Sequence, residues 1–293
     1  RGLHRVIPAA VFGAAADRFL CVLALGLLFA VAQDRITLEA VFHIVIGALA
    51  LCILCNGFLL WRYMPPQSDR PAHPILSKMW VVAWPSWLGL LLNFATTRTN
   101  LWILSGCQTS HEVAMFGAAL QASLLMVLAL QVVNGVLPSY VAEMFSQGKR
   151  DNVETLLRTS AFCVTIPALL LLLGFFVIGR PLLSVAFGPL YSGGYTVLLL
   201  LVTAHSVNAV TGSHGVLLSM TGHQRAVLVL MSVSVALALT VSGVFAPRLG
   251  ATGAALGAAV GIVTLNLSMM TYARIRLGIR TYSYYKPDDV RYV

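Results

Sequence analysis

Roughly eight apolar stretches, each about long enough to cross a bilayer, occupy most of this chain and leave it one class of fold. A bilayer core about 30 Å thick takes about 20 mostly apolar residues as a helix. The stretches fall at residues 11–32, 41–61, 79–106, 114–137, 159–179, 195–220, 226–246 and 251–273. A backbone in lipid must satisfy its own polar groups, and these runs are too long and too unalternating for barrel strands. Charged residues make up only 10% of the chain, against about 25% in a soluble domain. The pattern predicts an all-α, polytopic helical membrane protein with about eight transmembrane helices. The third stretch is long and carries Pro85. A kink or tilt is expected there, because proline removes an intrahelical hydrogen bond.

Basic residues give the orientation. Arg1, Arg5, Arg62, Arg70, Lys78, Lys149, Arg150, Arg158, Arg225, Arg274, Arg276, Arg280, Lys286 and Arg291 fall in one set of connections. Only Arg35, Arg180 and Arg248 fall in the other, and Arg18 and Arg98 lie inside spans. Both termini are therefore expected in the cytoplasm. The net charge of +9 is explained by topology and anionic lipid, and no nucleic-acid partner is expected.

The chain opens on Arg1, directly before an apolar span too long for a signal-peptide core. A longer protein is expected to precede it. Cys21, Cys52, Cys55 and Cys163 lie in spans and Cys107 at a span edge. Cys52-x-x-Cys55 has metal-like spacing but no second pair, so it reads as small helix-packing residues. The seven histidines lack metal spacing, and neither a metal nor a cofactor is expected.

Two parts are visible. The connector from Met64 to Pro74 is rich in proline and cannot be a membrane helix. Six spans follow it, separated by mostly short turns. Over residues 140–158 apolar and charged residues alternate with helical spacing, which predicts a short interfacial amphipathic helix. Gly2-x-x-Arg5 and Gly222-x-x-Arg225 each precede a two-helix hairpin, an echo of the internal repeats from which transporters are built.

Several segments carry a family resemblance. They are Val133-Asn-Gly-Val-Leu-Pro-Ser-Tyr-Val-Ala-Glu143, Gly148-Lys-Arg150 with Leu156-Leu-Arg158, and Phe187-Gly-Pro-Leu-Tyr191 with Gly194-Tyr195. Leu217-Leu-Ser-Met-Thr-Gly-His-Gln-Arg225, Gly250-Ala-Thr-Gly-Ala-Ala-Leu-Gly257 and Arg276-Leu-Gly-Ile-Arg280 complete the set. In their order and spacing the chain resembles the polysaccharide and O-antigen flippases. These belong to the superfamily of multidrug, oligosaccharidyl-lipid and polysaccharide exporters. The resemblance implies two six-helix lobes that rock around a central cavity, of which this chain holds helices five to twelve. Residues 1–75 would be the last two helices of the first lobe plus a connector. Residues 76–275 would be the six-helix second lobe, and 276–293 a cytoplasmic tail. Where such proteins often carry an acid in the third span, this chain has Thr97-Arg-Thr-Asn100, so a coupling role there is doubtful.

Polar groups inside membranes are costly and tend to face a cavity or a partner. From Phe19 to Ala32 there are 14 residues, about 21 Å of helix, so the hydrocarbon must also include Asp17 and Arg18. Neighbours on a helix do not pair well with each other. Arg18 reads either as a cavity cation for substrate phosphate or as half of a structural ion pair. Asp17 reads as a coupling carboxylate or an ion-pair partner. Arg98, well into span three and near the outer interface, is either a cavity-lining cation that attracts pyrophosphate, a task its planar fork suits, or a side chain that snorkels to the outer headgroups. Gln131 and Asn134, three apart, are expected on one face, with Gln121 roughly 80° round. These three and Asn208 could bind sugar hydroxyls or tie helices together. Asn266 is a weaker case of the same kind. His205 reads as a hydrogen-bonded helix contact ahead of a proton carrier. Glu143 and Arg158 read as a solvated or interfacial pair that seats the interfacial helix, or as a hinge or gate. Gly253-x-x-x-Gly257-x-x-x-Gly261 gives one smooth face for close packing.

No Asp-x-Asp, Ser-His-Asp arrangement, nucleotide loop or His-Glu-x-x-His is present, so an enzyme is not expected. The resemblance implies export of an undecaprenyl-pyrophosphate-linked oligosaccharide for cell-surface polysaccharide or lipopolysaccharide. The place would be a bacterial inner membrane, beside polymerase and assembly proteins. A cation-coupled drug or metabolite antiporter of the same fold, and a non-transporting scaffold, stand as alternatives.

Overall fold

The structure, a computed structural model, describes residues 73–282 and scattered positions between 43 and 58. Span one and much of span two, with Asp17, Arg18, Cys21 and the Cys52/Cys55 pair, lie outside the described residues. The chain divides into two units, Arg1–Ala72 and His73–Val293, and every element below belongs to the second.

The described chain is all-α, with no strand among the described residues. In order come α1 (His73–Cys107), α2 (Ser110–Ser123), α3 (Leu125–Ser146) and α4 (Arg150–Phe187). A 3-10 turn (Pro189–Gly194) leads to α5 (Tyr195–Thr211), α6 (His214–Met220), α7 (Gln224–Leu249) and α8 (Ala251–Leu277). Among the described residues five helical segments are long and apolar enough to cross a membrane: α3, α4, the turn with α5, α7 and α8. The protein is a polytopic helical membrane protein, as the apolar runs predict.

The chemistry of the joints explains the elements. Thr109 caps α2 through its hydroxyl, which accepts from the Glu112 amide at 3.5 Å. The fourth predicted span divides at Leu124. That residue keeps helical angles (φ −63, ψ −21), and the Val127 amide reaches back three residues to it at 3.0 Å. The joint is thus one tightened turn in a continuing rod. The predicted interfacial helix at 140–158 is not a separate element. α3 runs to Ser146 and α4 begins at Arg150, so its helical periodicity belongs to the overhanging ends of two membrane helices. Glu143 and Arg158 do not pair either. Glu143 accepts from Gln147 at 3.3 Å, and Arg158 lies 3.8 Å from Glu154, one turn away on its own helix. Backbone geometry favours such i,i+4 partners over residues on the far side of a turn.

Packing sets the neighbours. α1 runs parallel to α7: Gly89 lies against Leu228, Ser242 Oγ donates to Asn100 Oδ1 at 2.7 Å, and Gln108 Nε2 donates to the Ala246 and Pro247 carbonyls. α7 turns at Gly250 and α8 returns along it. A Cβ on Gly257 would stand 2.7 Å from the Ala238 carbonyl, and one on Gly261 2.8 Å from the Ala238 Cβ. The Gly253/Gly257/Gly261 face is therefore a seam of close backbone approach, as its spacing predicts. One core gathers Phe116, Met126, Leu130, Leu198 and Leu201. A second gathers Leu137, Leu157, Leu217, Met269 and Ile279.

Connections sort to two ends. One holds residues 107–110, 188–194 and 249–251. There the carboxylate of Glu112 accepts from the Ala251 amide at 2.7 Å, and Met115 touches Gly193 and Gly194. The other holds 146–150, 220–224 and the tail after α8. Lys149, Arg150, Arg225, Arg274, Arg276 and Arg280 are exposed at this basic end, and Arg180 and Arg248 at the opposite one.

The tail folds back as a strap. Ile279 and Thr281 are buried, 3% and 1% exposed. The Arg280 amide donates to Glu154 at 3.2 Å, and the Thr281 carbonyl lies where a Cβ on Gly212 would sit.

Candidate functional site

Two regions gather the polar side chains that the apolar sequence makes conspicuous. The first is the interruption of the sixth span. α5 stops at Thr211 because Gly212 adopts φ +78, a conformation that a side chain disfavours. The Gly212 amide still reaches the Asn208 carbonyl at 3.3 Å, and the His214 amide turns to the Gly212 carbonyl at 3.0 Å. Thr165 Oγ1 donates to the Ala161 carbonyl at 2.7 Å and to the Ala209 carbonyl at 3.4 Å, covering an acceptor beside the break. Ser213 Oγ donates to Asn134 Oδ1 at 2.6 Å. Among the described residues, Nδ1 of His214 and Oγ1 of Thr281 are buried with no hydrogen-bond partner. Interrupted membrane helices expose backbone groups at mid-span and are used for this in transporters.

The second region is the face of α1 turned away from α7. Gly89, Asn100 and Leu104 define the packed side; Asn100 is 2% exposed and Leu104 fully buried. On the far side Arg98 is exposed, about 14 Å along the helix from its end at Cys107. On the same face stand Trp80, Trp84 and Trp87, then exposed Leu91, then Phe94 and Trp102, the five aromatics from 53% to 66% exposed. Trp84 and Trp87 have ring centroids 5.6 Å apart, and Phe94 meets Trp102 edge-on at 6.1 Å.

The structure separates residues that the sequence groups. Gln131 is exposed, as is Gln121, while Asn134, about 60° round the helix from Gln131, is half-buried against the break. Asn208 is half-buried, and its carbonyl also receives Thr211 Oγ1 at 3.1 Å. His205 lies on α5 with both ring nitrogens buried and no hydrogen-bond partner. The hydrogen-bonded contact expected of it is therefore not found among the described residues. Buried Asn266 spends its amide on the Ile262 carbonyl at 2.7 Å. Among the described residues no cluster of histidine, cysteine or acidic side chains could hold a metal.

Sequence reading missed two features that it could have found. Thr109-x-x-Glu112 is a capping-box pattern, with its glutamate lent to another helix. Four of the chain's five tryptophans recur at helical spacing in one span.

No family model, curated protein or solved structure matches this chain.

Proposed function

We propose that this chain is part of a flippase-type exporter that carries a lipid-linked oligosaccharide across a bacterial inner membrane by alternating access, with both termini in the cytoplasm. One observation carries the reading: Arg98 is exposed on α1, inside the third predicted span and beside Thr97, Thr99 and Asn100. A guanidinium in a membrane helix costs about 2.5–3.5 kcal/mol at the bilayer centre. An anion, an aqueous cavity or snorkelling to the headgroups offsets that cost, and of the anions pyrophosphate matches the planar donor fork. The six-helix bundle would form one wall of the cavity, and the break at Gly212 supplies polar backbone within the sixth span.

The antiporter alternative finds less support. Among the described residues the acids are Glu112, Glu143, Asp151 and Glu154, all near bundle ends. Cation coupling by a carboxylate inside this lobe would lack its carboxylate. The same distribution weighs against an enzyme, which would want an acid or base at a protected site.

The test is complementation. The complete reading frame is expressed in cells lacking their own O-unit flippase, and surface polysaccharide is read. Restoration is expected. Arg98→Ala should lower export about tenfold or more, the effect of losing one charge-assisted contact of roughly 1.5–3 kcal/mol, at unchanged membrane levels. Full export by Arg98→Ala would remove this residue from the mechanism. No restoration by the unaltered, correctly inserted protein would overturn the reading.

A further inference from the structure

We propose that residues 278–282 are a latch at the basic end of the bundle. Seated, they tie α8 to α4 and close the break in the sixth span at Gly212; lifted, they let that break open. The latch does not depend on what the protein carries.

Three contacts place it. α4 packs on α3 and α5, while α6 and α8 pack on each other. Ile279 joins the two groups, in one core with Val153 and Leu157 of α4, Leu217 of α6 and Met269 of α8. The Arg280 amide donates to Glu154 on α4 at 3.2 Å. At the break, a Cβ on Gly212 would strike both the Thr281 carbonyl and the Ala161 Cβ. Glu154 and Ala161 stand two turns apart on α4, about 10 Å. One side of that helix is thus engaged both near its start and at the level of the break.

The seat is close enough to bury Ile279 and Thr281, yet lightly bonded. Beyond Gly278 the strap makes one hydrogen bond to the bundle among the described residues, the exposed one to Glu154. Thr281 Oγ1 is buried there without a partner among the described residues. An unpartnered buried hydroxyl burdens the seated state, and water relieves it once the strap lifts. Segments with few hydrogen bonds open more readily than a core. Gly278 ends α8 at φ +71 with open space around it. It is a ready pivot, because glycine moves between backbone regions that a side chain disfavours. Under the strap the backbone is not bonded as a regular helix: the His214 amide reaches only two residues back, to Gly212.

Hydrogen exchange on the complete protein in nanodiscs tests the latch, with residues 253–261 on the α7–α8 seam as the reference. Glu154→Cys with Arg280→Cys, in a protein lacking all other cysteines, is bridged by a short bis-methanethiosulfonate that dithiothreitol removes. Bridging should slow exchange at residues 212–217 about tenfold below the cysteine-free parent. The reference should not change, and dithiothreitol should reverse the effect. A strap that is only packing is closed already, so an unchanged rate after bridging overturns the latch. A pair that the reagent does not bridge puts the strap elsewhere and overturns it too. Ile279→Ala should act in the opposite sense, quickening exchange at 212–217 about tenfold or more with little change in the reference. Equal quickening of both would make Ile279 part of the general core and overturn the latch.

Discussion

Gly257 shows how little room a membrane helix can leave. Its Cα faces Ser242 and the Ala238 carbonyl across the α7–α8 seam. Gly257→Ala would place a methyl group where backbone already lies. We expect it to destabilise the protein by about 1–3 kcal/mol, the usual cost of overpacking, read as a lower unfolding midpoint in detergent. Gly117→Ala, a position with open space around it, serves as the neutral control. The seam was legible because glycine every fourth residue has one dominant meaning in lipid. Asn100 and Asn134 were not legible in that way. A lone asparagine can line a cavity or tie helices, and only its partners, Ser242 and Ser213, decide. Those partners sit far away in sequence, and no periodicity announces them.

Helix ends depend on one another here. Glu112 begins α2 but its carboxylate serves α8, accepting from the Ala251 amide where four orphan donors await partners. Glu112→Gln keeps the size and loses the charge at the positive end of the helix dipole. About 0.5–2 kcal/mol should be lost, and hydrogen exchange should quicken at the amides of residues 251–254 before those of the α8 interior. Unchanged exchange there would mean that the cap is dispensable. At this scale the sequence was readable in type and misleading at boundaries. Hydropathy finds the part of a helix that lipid must cover. It does not see that α4 continues well past it at both ends, to 38 residues in all. The amphipathic pattern at 140–158 was real, and it belonged to those extensions.

The whole bundle has a basic end and a poor one, and this asymmetry makes its orientation testable. Positive charge favours the cytoplasmic side. Cys107 is exposed at the opposite end. In a variant keeping it as the only cysteine, an impermeant maleimide added outside intact cells should label it. A Gln147→Cys variant lacking all other cysteines should react only once the cytoplasmic face is opened. The reverse pattern would invert the topology. Fold class was legible here because apolar length and charge bias are sums over many residues, in which single errors cancel. The candidate site was legible in part: Arg98 was conspicuous as a charge in a span, and its aromatic neighbours were hidden by being apolar like everything around them. The strap over Gly212 was not visible at all, since Ile279 and Thr281 look like an ordinary tail. It also sets an order of events in time. Residues 278–282 leave the ribosome after every helix described here, so the gap at Gly212 has no lid until synthesis has passed them. A stop codon or a rigid fusion within those five residues would thus be felt in a helix made long before.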